Sequence, residues 1–201
     1  MNPSPCQVRA PGNLPRVLTE PRIIILNGVG SVGKTSTARA LQVITAEPFL
    51  HASMDVFAGM LPAAMFGDPE GLLFEKTIED GRPSIIIRTG PVFERAMHGM
   101  RHAIAAMAGQ GNNLIVDDVM LSGEARDYRT LLAGFDVRYV GLFAPLDVLE
   151  GRERARRDRE IGLARWQYGR VHQGVAYDLE IDTTETTPEE NARIIRDSFD
   201  L

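Results

Sequence analysis

Residues 27–36 read NGVGSVGKTS, which sets Gly28, Gly33, Lys34 and Thr35 at the spacing G-x-x-x-x-G-K-[ST]. Those residue types at those intervals suit the binding of a polyphosphate. Gly28, Gly30 and Gly33 have no side chain to obstruct phosphate oxygens and can adopt left-handed backbone angles. Together with Val29, Ser31 and Val32 they offer successive N–H groups, an anion nest that ends at a helix N-terminus. Lys34 brings a positive charge toward the β- and γ-phosphates, Thr35 a hydroxyl for Mg2+, and the loop's contacts run on to Ser36. The flanks make the motif specific. An apolar run precedes it and a helical pattern follows it, the context that a phosphate loop requires.

A Mg2+-dependent phosphate site needs an acid at the end of a second apolar strand, and NLIVDD at 113–118 supplies Asp117 and Asp118. Asp117, the first acid after the apolar run, is the preferred partner of Mg2+, through water. The other reading has an acid of this pair simply capping the strand end. Asp55 follows the apolar stretch FLHASM at 49–54. Open α/β sheets bind ligands at the C-terminal ends of their strands, so a carboxylate there could accept the proton of an acceptor hydroxyl. Alternatively Asp55 is the N-cap of a short helix over 56–61.

The stretch GRERARRDR at 151–159 holds five arginines within two turns. On a helix Arg152, Arg156 and Arg159 fall at i, i+4 and i+7 on one face. That face could close over the phosphates as a lid and offset charge on a transferring phosphoryl group. The competing reading is a solvated helix with Glu150, Glu153 and Asp158 as its partners.

These residues need elements to hold them. Ile23–Leu26 reads as a strand buried on both faces, and the segment from Lys34 to Ile44 as a helix. Residues 49–54, 113–118, 137–144 and 177–183 read as further strands, with 84–89 as a hairpin strand. The strand at 49–54 is expected beside the phosphate-loop strand. Helices are expected from Pro91 to about Ala108, with Val92, Ala96, Met100, Ala103 and Met107 on one side, and over 146–159. A last helix opens with Thr187 as N-cap, Pro188 at its first position and Glu190 completing a capping box. Alternating strands and helices predict a three-layer α/β sandwich with a mainly parallel sheet. Residues 1–21, proline-rich and without period, read as a flexible tail before one domain over 22–201.

Composition narrows the function. A net charge of −5 argues against a broad nucleic-acid surface. The single cysteine, Cys6, allows no internal disulfide and suits a reducing cytoplasm. No apolar run approaches the roughly 20 residues of a membrane span, and no signal peptide is apparent. The guanine-reading string N-K-x-D is absent, which argues against a GTPase. His98 and His102 stand at i, i+4 on a helix but lack a third ligand nearby, so they read as a surface pair. Met54, Phe57, Met60, Leu61, Met65 and Phe66 are candidates to line an apolar acceptor pocket, and Thr183–Pro188 is the expected resting place of adenine.

Taken together, IIILNGVGSVGKTSTARALQ, FLHASMDVF, NLIVDDVML, GRERARRDREIGLARWQ and VHQGVAYDLEIDTT resemble the chloramphenicol phosphotransferase family, in the family's order and across most of residues 22–184. The resemblance implies a P-loop kinase with an arginine-rich lid that uses ATP and Mg2+ to phosphorylate a hydroxyl of a small molecule. It places the family's base on Asp55 and its lid arginines on Arg156 and Arg159; Lys34 and Thr35 carry over directly. Neither nucleic acid nor membrane is an expected partner, and a homo-oligomer is compatible. The segment at 67–90 is longer than the antibiotic-modifying enzyme would lead one to expect. It motivates a second reading, a nucleotide-binding regulatory protein that transfers nothing.

Overall fold

A computed structural model describes residues 20–121, 123–156 and 160–201. The tail expected over 1–21 therefore falls almost wholly outside the described residues. Five parallel strands, β1 (Arg22–Asn27), β2 (Phe49–Ser53), β5 (Asn113–Asp118), β6 (Asp136–Phe143) and β7 (Leu179–Asp182), form a sheet in the order β2-β5-β1-β6-β7. A separate antiparallel hairpin joins β3 (Leu72–Glu79) and β4 (Arg82–Thr89).

The central strands explain the layering. Successive side chains of β1 point to opposite faces. Ile23 and Ile25 enter one apolar cluster with Met100, Ile104 and Tyr128, whereas Ile24 and Leu26 enter another with Leu41, Leu149 and Ile195. Helices α3 (Pro91–Gly109) and α4 (Glu124–Leu131) cover the first face. Helices α1 (Lys34–Ile44), α5 (Leu146–Ala155) and α7 (Pro188–Phe199) cover the second. The three-layer α/β sandwich with a mainly parallel sheet is thus observed. The expected capping box opens α7: Glu190 N–H donates to Thr187 Oγ1 at 3.2 Å and Thr187 N–H to Glu190 Oε2 at 2.8 Å.

Several details differ from expectation. Strand β2 does not neighbour β1; β5 lies between them. The crossover through α1 skips one position, and that gap brings the acidic end of β5 beside the phosphate loop. Strand β2 also stops at Ser53, and a short helix α2 (Met54–Ala58) starts at once, so Asp55 sits in its first turn and Ser53 is the N-cap. The buried face of α3 is Phe93, Met97, Met100, Ile104 and Ala108, sharing only Met100 with the expected face. Both faces are nearly apolar, and the packing of α2, α4 and β5 on this helix decides which one is covered.

The basic helix ends early. Helix α5 stops at Ala155, and Arg156 is already extended with φ −90 and ψ 134. A continued helix would stack Arg152 on Arg156 at i, i+4, a like-charge pair that opposes helix formation. Helices α4 and α6 (Leu163–Tyr168) had no sequence expectation. Among the described residues no helix is long and apolar enough to cross a membrane.

Candidate active site

The C-terminal ends of three adjacent strands assemble the site. Leu26 of β1 stands opposite Asp117 of β5, which in turn stands opposite Ser53 of β2. The phosphate loop leaves β1 at Asn27, and Asp55 follows β2 by two residues, so loop, strand-end acids and Asp55 share one edge. Gly28 must be glycine, because a Cβ there would lie 2.6 Å from the Leu142 carbonyl oxygen. Gly33 has φ 103, a conformation that L side chains rarely adopt. Gly30 does not share it; the left-handed residue between them is Ser31, with φ 66. The side chains of Val29 and Val32 are buried in the core and anchor the loop.

Lys34 folds back over the loop, its Nζ donating to the carbonyls of Gly28 at 2.8 Å and Val29 at 3.2 Å. Thr35 Oγ1 donates to Asp117 Oδ2 at 2.5 Å. Burial alone would push the Asp117 carboxyl up, but the His51 imidazole, the Lys34 ammonium and the Thr35 hydroxyl outweigh it and hold the carboxyl below its ordinary range. His51 Nε2 stands 3.7 Å from Asp117 Oδ2, too far for a hydrogen bond, so its influence is electrostatic.

Asp118 has a different role. It accepts from Tyr128 Oη and from the Val119 N–H, each at 2.7 Å, and burial pushes its carboxyl up. Burial and the adjoining Asp118 also push the Tyr128 phenol well above its ordinary value. The two neighbouring acids are thus divided: Asp117 meets the loop hydroxyl, while Asp118 ties β5 to α4.

A cavity of about 480 Å3 spans the site. Gly30, Lys34, Thr35, Asp117, Asp55 and Arg156 border its polar end. Its apolar wall comes from the hairpin (Leu72, Phe74, Ile87) and from α3 (Phe93, Met97, Met100). Of the six apolar candidates between 54 and 66, only Met54 and Phe66 line it. Phe57, Leu61 and Met65 join the core instead, and Met60 is 68% exposed.

The lid region is only partly brought to the site. Arg156 lines the cavity, whereas Arg159 lies outside the described residues, as do Arg157 and Asp158. Arg152 is not on a shared lid face. It donates to the carbonyls of Thr183 at 2.6 Å and Thr184 at 3.2 Å, bracing the segment after β7. Glu150 and Glu153 are buried rather than solvated. Glu150 pairs with Arg165 at 2.5 Å and Arg82 at 3.1 Å. Glu153 accepts from the N–H groups of Gly162 and Ala164, each at 2.8 Å. Helix α6, so held, sends Gln167 into the loop, where Oε1 accepts from the Gly30 N–H at 2.7 Å. Sequence reading missed Gln167; a glutamine in a six-residue helix carries no spacing signal.

His172 stacks on Phe143, with ring centroids 3.9 Å apart, beside a second cleft of about 470 Å3. Asn27 Nδ2 donates to Tyr177 Oη at 2.6 Å, leaving the phenol proton for His172 Nδ1 at 2.7 Å. Burial pushes Tyr177 up to about 12. Burial, with Lys34 nearby, lowers His172 from 6.5 to about 4. Between those values the unfolded chain binds more protons than the folded one. The stability from this group is therefore complete above about pH 6.5 and falls as pH drops toward 4. An NMR titration of the imidazole is expected to show a neutral ring at pH 5.5; an inflection near 6.5 would contradict it. His98 and His102 are exposed with rings 4.5 Å apart. Among the described residues no cluster of three His, Cys, Asp or Glu could hold a metal.

A phosphate loop between a buried parallel strand and its helix, with an acid from the neighbouring strand on the loop's threonine, defines the P-loop class of α/β proteins. A family model described as chloramphenicol phosphotransferase-like protein matches residues 21–200, and the chain belongs to that family. A Mycobacterium tuberculosis (strain H37Rv) relative named "Putative O-phosphotransferase Rv2636" is 34% identical over 188 residues, covering 90% of this chain and 84% of the relative. A sugar kinase from Janibacter sp. HTCC2649, solved without ligand, superposes with TM-score 0.62 at 18% identity, over 90% of this chain and 95% of that one. The Mycobacterium tuberculosis APS kinase CysC, solved with AMPPNP and APS, gives TM-score 0.62 at 15% identity, over 90% and 99%. These structural likenesses show the fold. Family membership makes the chain a kinase-like phosphotransferase.

Proposed function

We propose that the protein transfers the γ-phosphoryl group of ATP to a hydroxyl of a small molecule, chloramphenicol or a related hydroxylated compound. The observation that carries this reading is that one cavity is lined both by Lys34, Thr35, Asp117 and Asp55 and by apolar side chains of the hairpin and α3. Donor and acceptor halves of a transfer site thus share one space. The hairpin at 72–89 builds one of those walls, which accounts for the long segment at 67–90 and weighs against a purely regulatory nucleotide switch.

The donors present suit Mg2+. Thr35 and Asp117 supply a hydroxyl and a carboxylate in contact, and Mg2+ takes few protein oxygens and completes its shell with phosphates and water. When bound, the ion would neutralise charge on the β- and γ-phosphates. Lys34 would leave the Gly28 and Val29 carbonyls for the phosphates, and the loop N–H groups would hold them in place. Asp55 would accept the proton of the acceptor hydroxyl as the new oxygen–phosphorus bond forms. The bond from the γ-phosphorus to the bridging oxygen breaks, and that oxygen leaves on ADP. Arg156, at the cavity rim, would offset charge on the transferring group.

The test is incubation with Mg·ATP and a panel of hydroxylated compounds that includes chloramphenicol, with mass spectrometry for a phosphorylated product. Lys34→Ala is expected to lower transfer about 100-fold or more, since it removes a donor aimed at developing charge. Nucleotide binding with no product from any acceptor would defeat the transfer reading in favour of the regulatory one.

A further inference from the structure

Gln167 is a buried side chain against the phosphate loop that the transfer chemistry does not use. It is 4% exposed, borders the same cavity as Gly30 and Asp55, and engages the Gly30 N–H at 2.7 Å. Gly30 lines the cavity that Asp55 and the apolar walls share, whereas the preceding loop residue, Val29, lines the second cleft with Phe143 and His172. On the transfer reading the terminal phosphate is the one that faces this shared cavity, so the Gly30 N–H falls to it. The carboxamide oxygen of Gln167 holds the N–H that a phosphate oxygen would take.

The backbone behind Gln167 is fixed from two directions. Glu153 of α5 holds the start of α6 through two N–H groups. The Gly162 carbonyl accepts from the Ile85 N–H of the hairpin at 3.1 Å. A Cβ on Gly162 would collide with Pro83 and Ser84 at 2.8 Å, so this contact leaves no slack. Only the end of the Gln167 side chain can yield, and it carries both an acceptor and donors.

Resting on the kinase reading above, we propose that Gln167 reads the terminal phosphate of the nucleotide. A γ-phosphate oxygen takes the Gly30 N–H in a charge-assisted bond stronger than the one to a neutral amide. The displaced carboxamide then turns its NH2 group to the same phosphate. A diphosphate does not reach this position and leaves the Gln167–Gly30 bond intact. The residue thereby separates ATP from ADP, and helix α6 carries its state to α5 and to the hairpin wall of the cavity. Glutamine suits the task where glutamate would not, because a carboxylate would repel the phosphate.

The experiment measures affinities for a non-hydrolysable ATP analogue and for ADP, both with Mg2+, by calorimetry on the full chain. For Gln167→Leu the triphosphate affinity is expected to fall about 10-fold or more, the range for losing a hydrogen bond to a charged group, with ADP changed less than about twofold. Gln167→Glu is expected to fall further for the triphosphate, through like-charge repulsion. Trp166, the only tryptophan in the chain, adjoins Gln167 and gives a second readout. Its fluorescence is expected to respond to the triphosphate more than to ADP in the wild type, and equally to both in Gln167→Leu. An unchanged affinity ratio in the variants, or equal losses for both nucleotides, overturns the proposal alone. A wild-type chain that binds neither nucleotide overturns the kinase reading with it.

Discussion

Asp55→Asn is expected to lower kcat for phosphoryl transfer about 100- to 10,000-fold, the range a positioned general base contributes, while nucleotide affinity stays within about twofold. The substitution keeps the size of the side chain and removes its capacity to take a proton. Asp55 lies in the first turn of α2 at the cavity, separated from β2 by Met54 alone. A carboxylate in a helix's first turn also favours the helix dipole by a few tenths to 1 kcal/mol. That gives the competing account of why an acid stands here. The two accounts differ in readout. A dipole role predicts a small loss of stability with transfer intact; a base predicts loss of transfer with the melting temperature nearly unchanged. Product formation, followed by mass spectrometry alongside a thermal melt, separates them. Transfer at the wild-type rate would remove Asp55 from the mechanism.

What could be read ahead of the structure follows from how local each signal is. The phosphate loop, its flanking strand and helix, and the Thr187–Glu190 box are set by residues within a few positions of one another, and all are observed. NLIVDD announced a buried strand with acids at its end, and its order favoured Asp117, but not how that acid would reach the loop. That depends on β5 sitting between β1 and β2, and strand order is a long-range property that no local pattern encodes. The first strand of the hairpin, β3, has weak alternation and half-buried residues, so its sequence carries no strand signal. The arginine-rich stretch misled in a specific way. Its charge pattern advertised the cations, yet among the described residues the buried ones are two acids, Glu150 just before the arginines and Glu153 between the first two, and Arg152 braces the segment after β7. Gln167 was invisible for a related reason: its meaning lies in a partner 137 positions away.

The larger structural effect is expected at Glu153. Its carboxylate is 2% exposed and accepts from the Gly162 and Ala164 N–H groups, each at 2.8 Å. Glu153→Ala leaves two buried donors without partners. Each costs about 1–3 kcal/mol, offset in part because a buried carboxylate no longer has to be desolvated. A net loss of about 2–4 kcal/mol corresponds to a fall in melting temperature on the order of 5–15 °C for a domain of this size. Glu153→Gln keeps one acceptor oxygen and is expected to lose about half as much. A reversed order, or an alanine variant within about 2 °C of wild type, would show that water or backbone rearrangement satisfies those donors. The consequence also reaches the site. Glu153, together with the Glu150–Arg165 pair, ties α5 to α6, and α6 holds Gln167 against the phosphate loop. If that tie orders the donor side of the cavity, Glu153→Gln should weaken the discrimination between triphosphate and diphosphate at a temperature where the variant is still fully folded. If the tie serves stability alone, the affinity ratio will match wild type while the melting point falls.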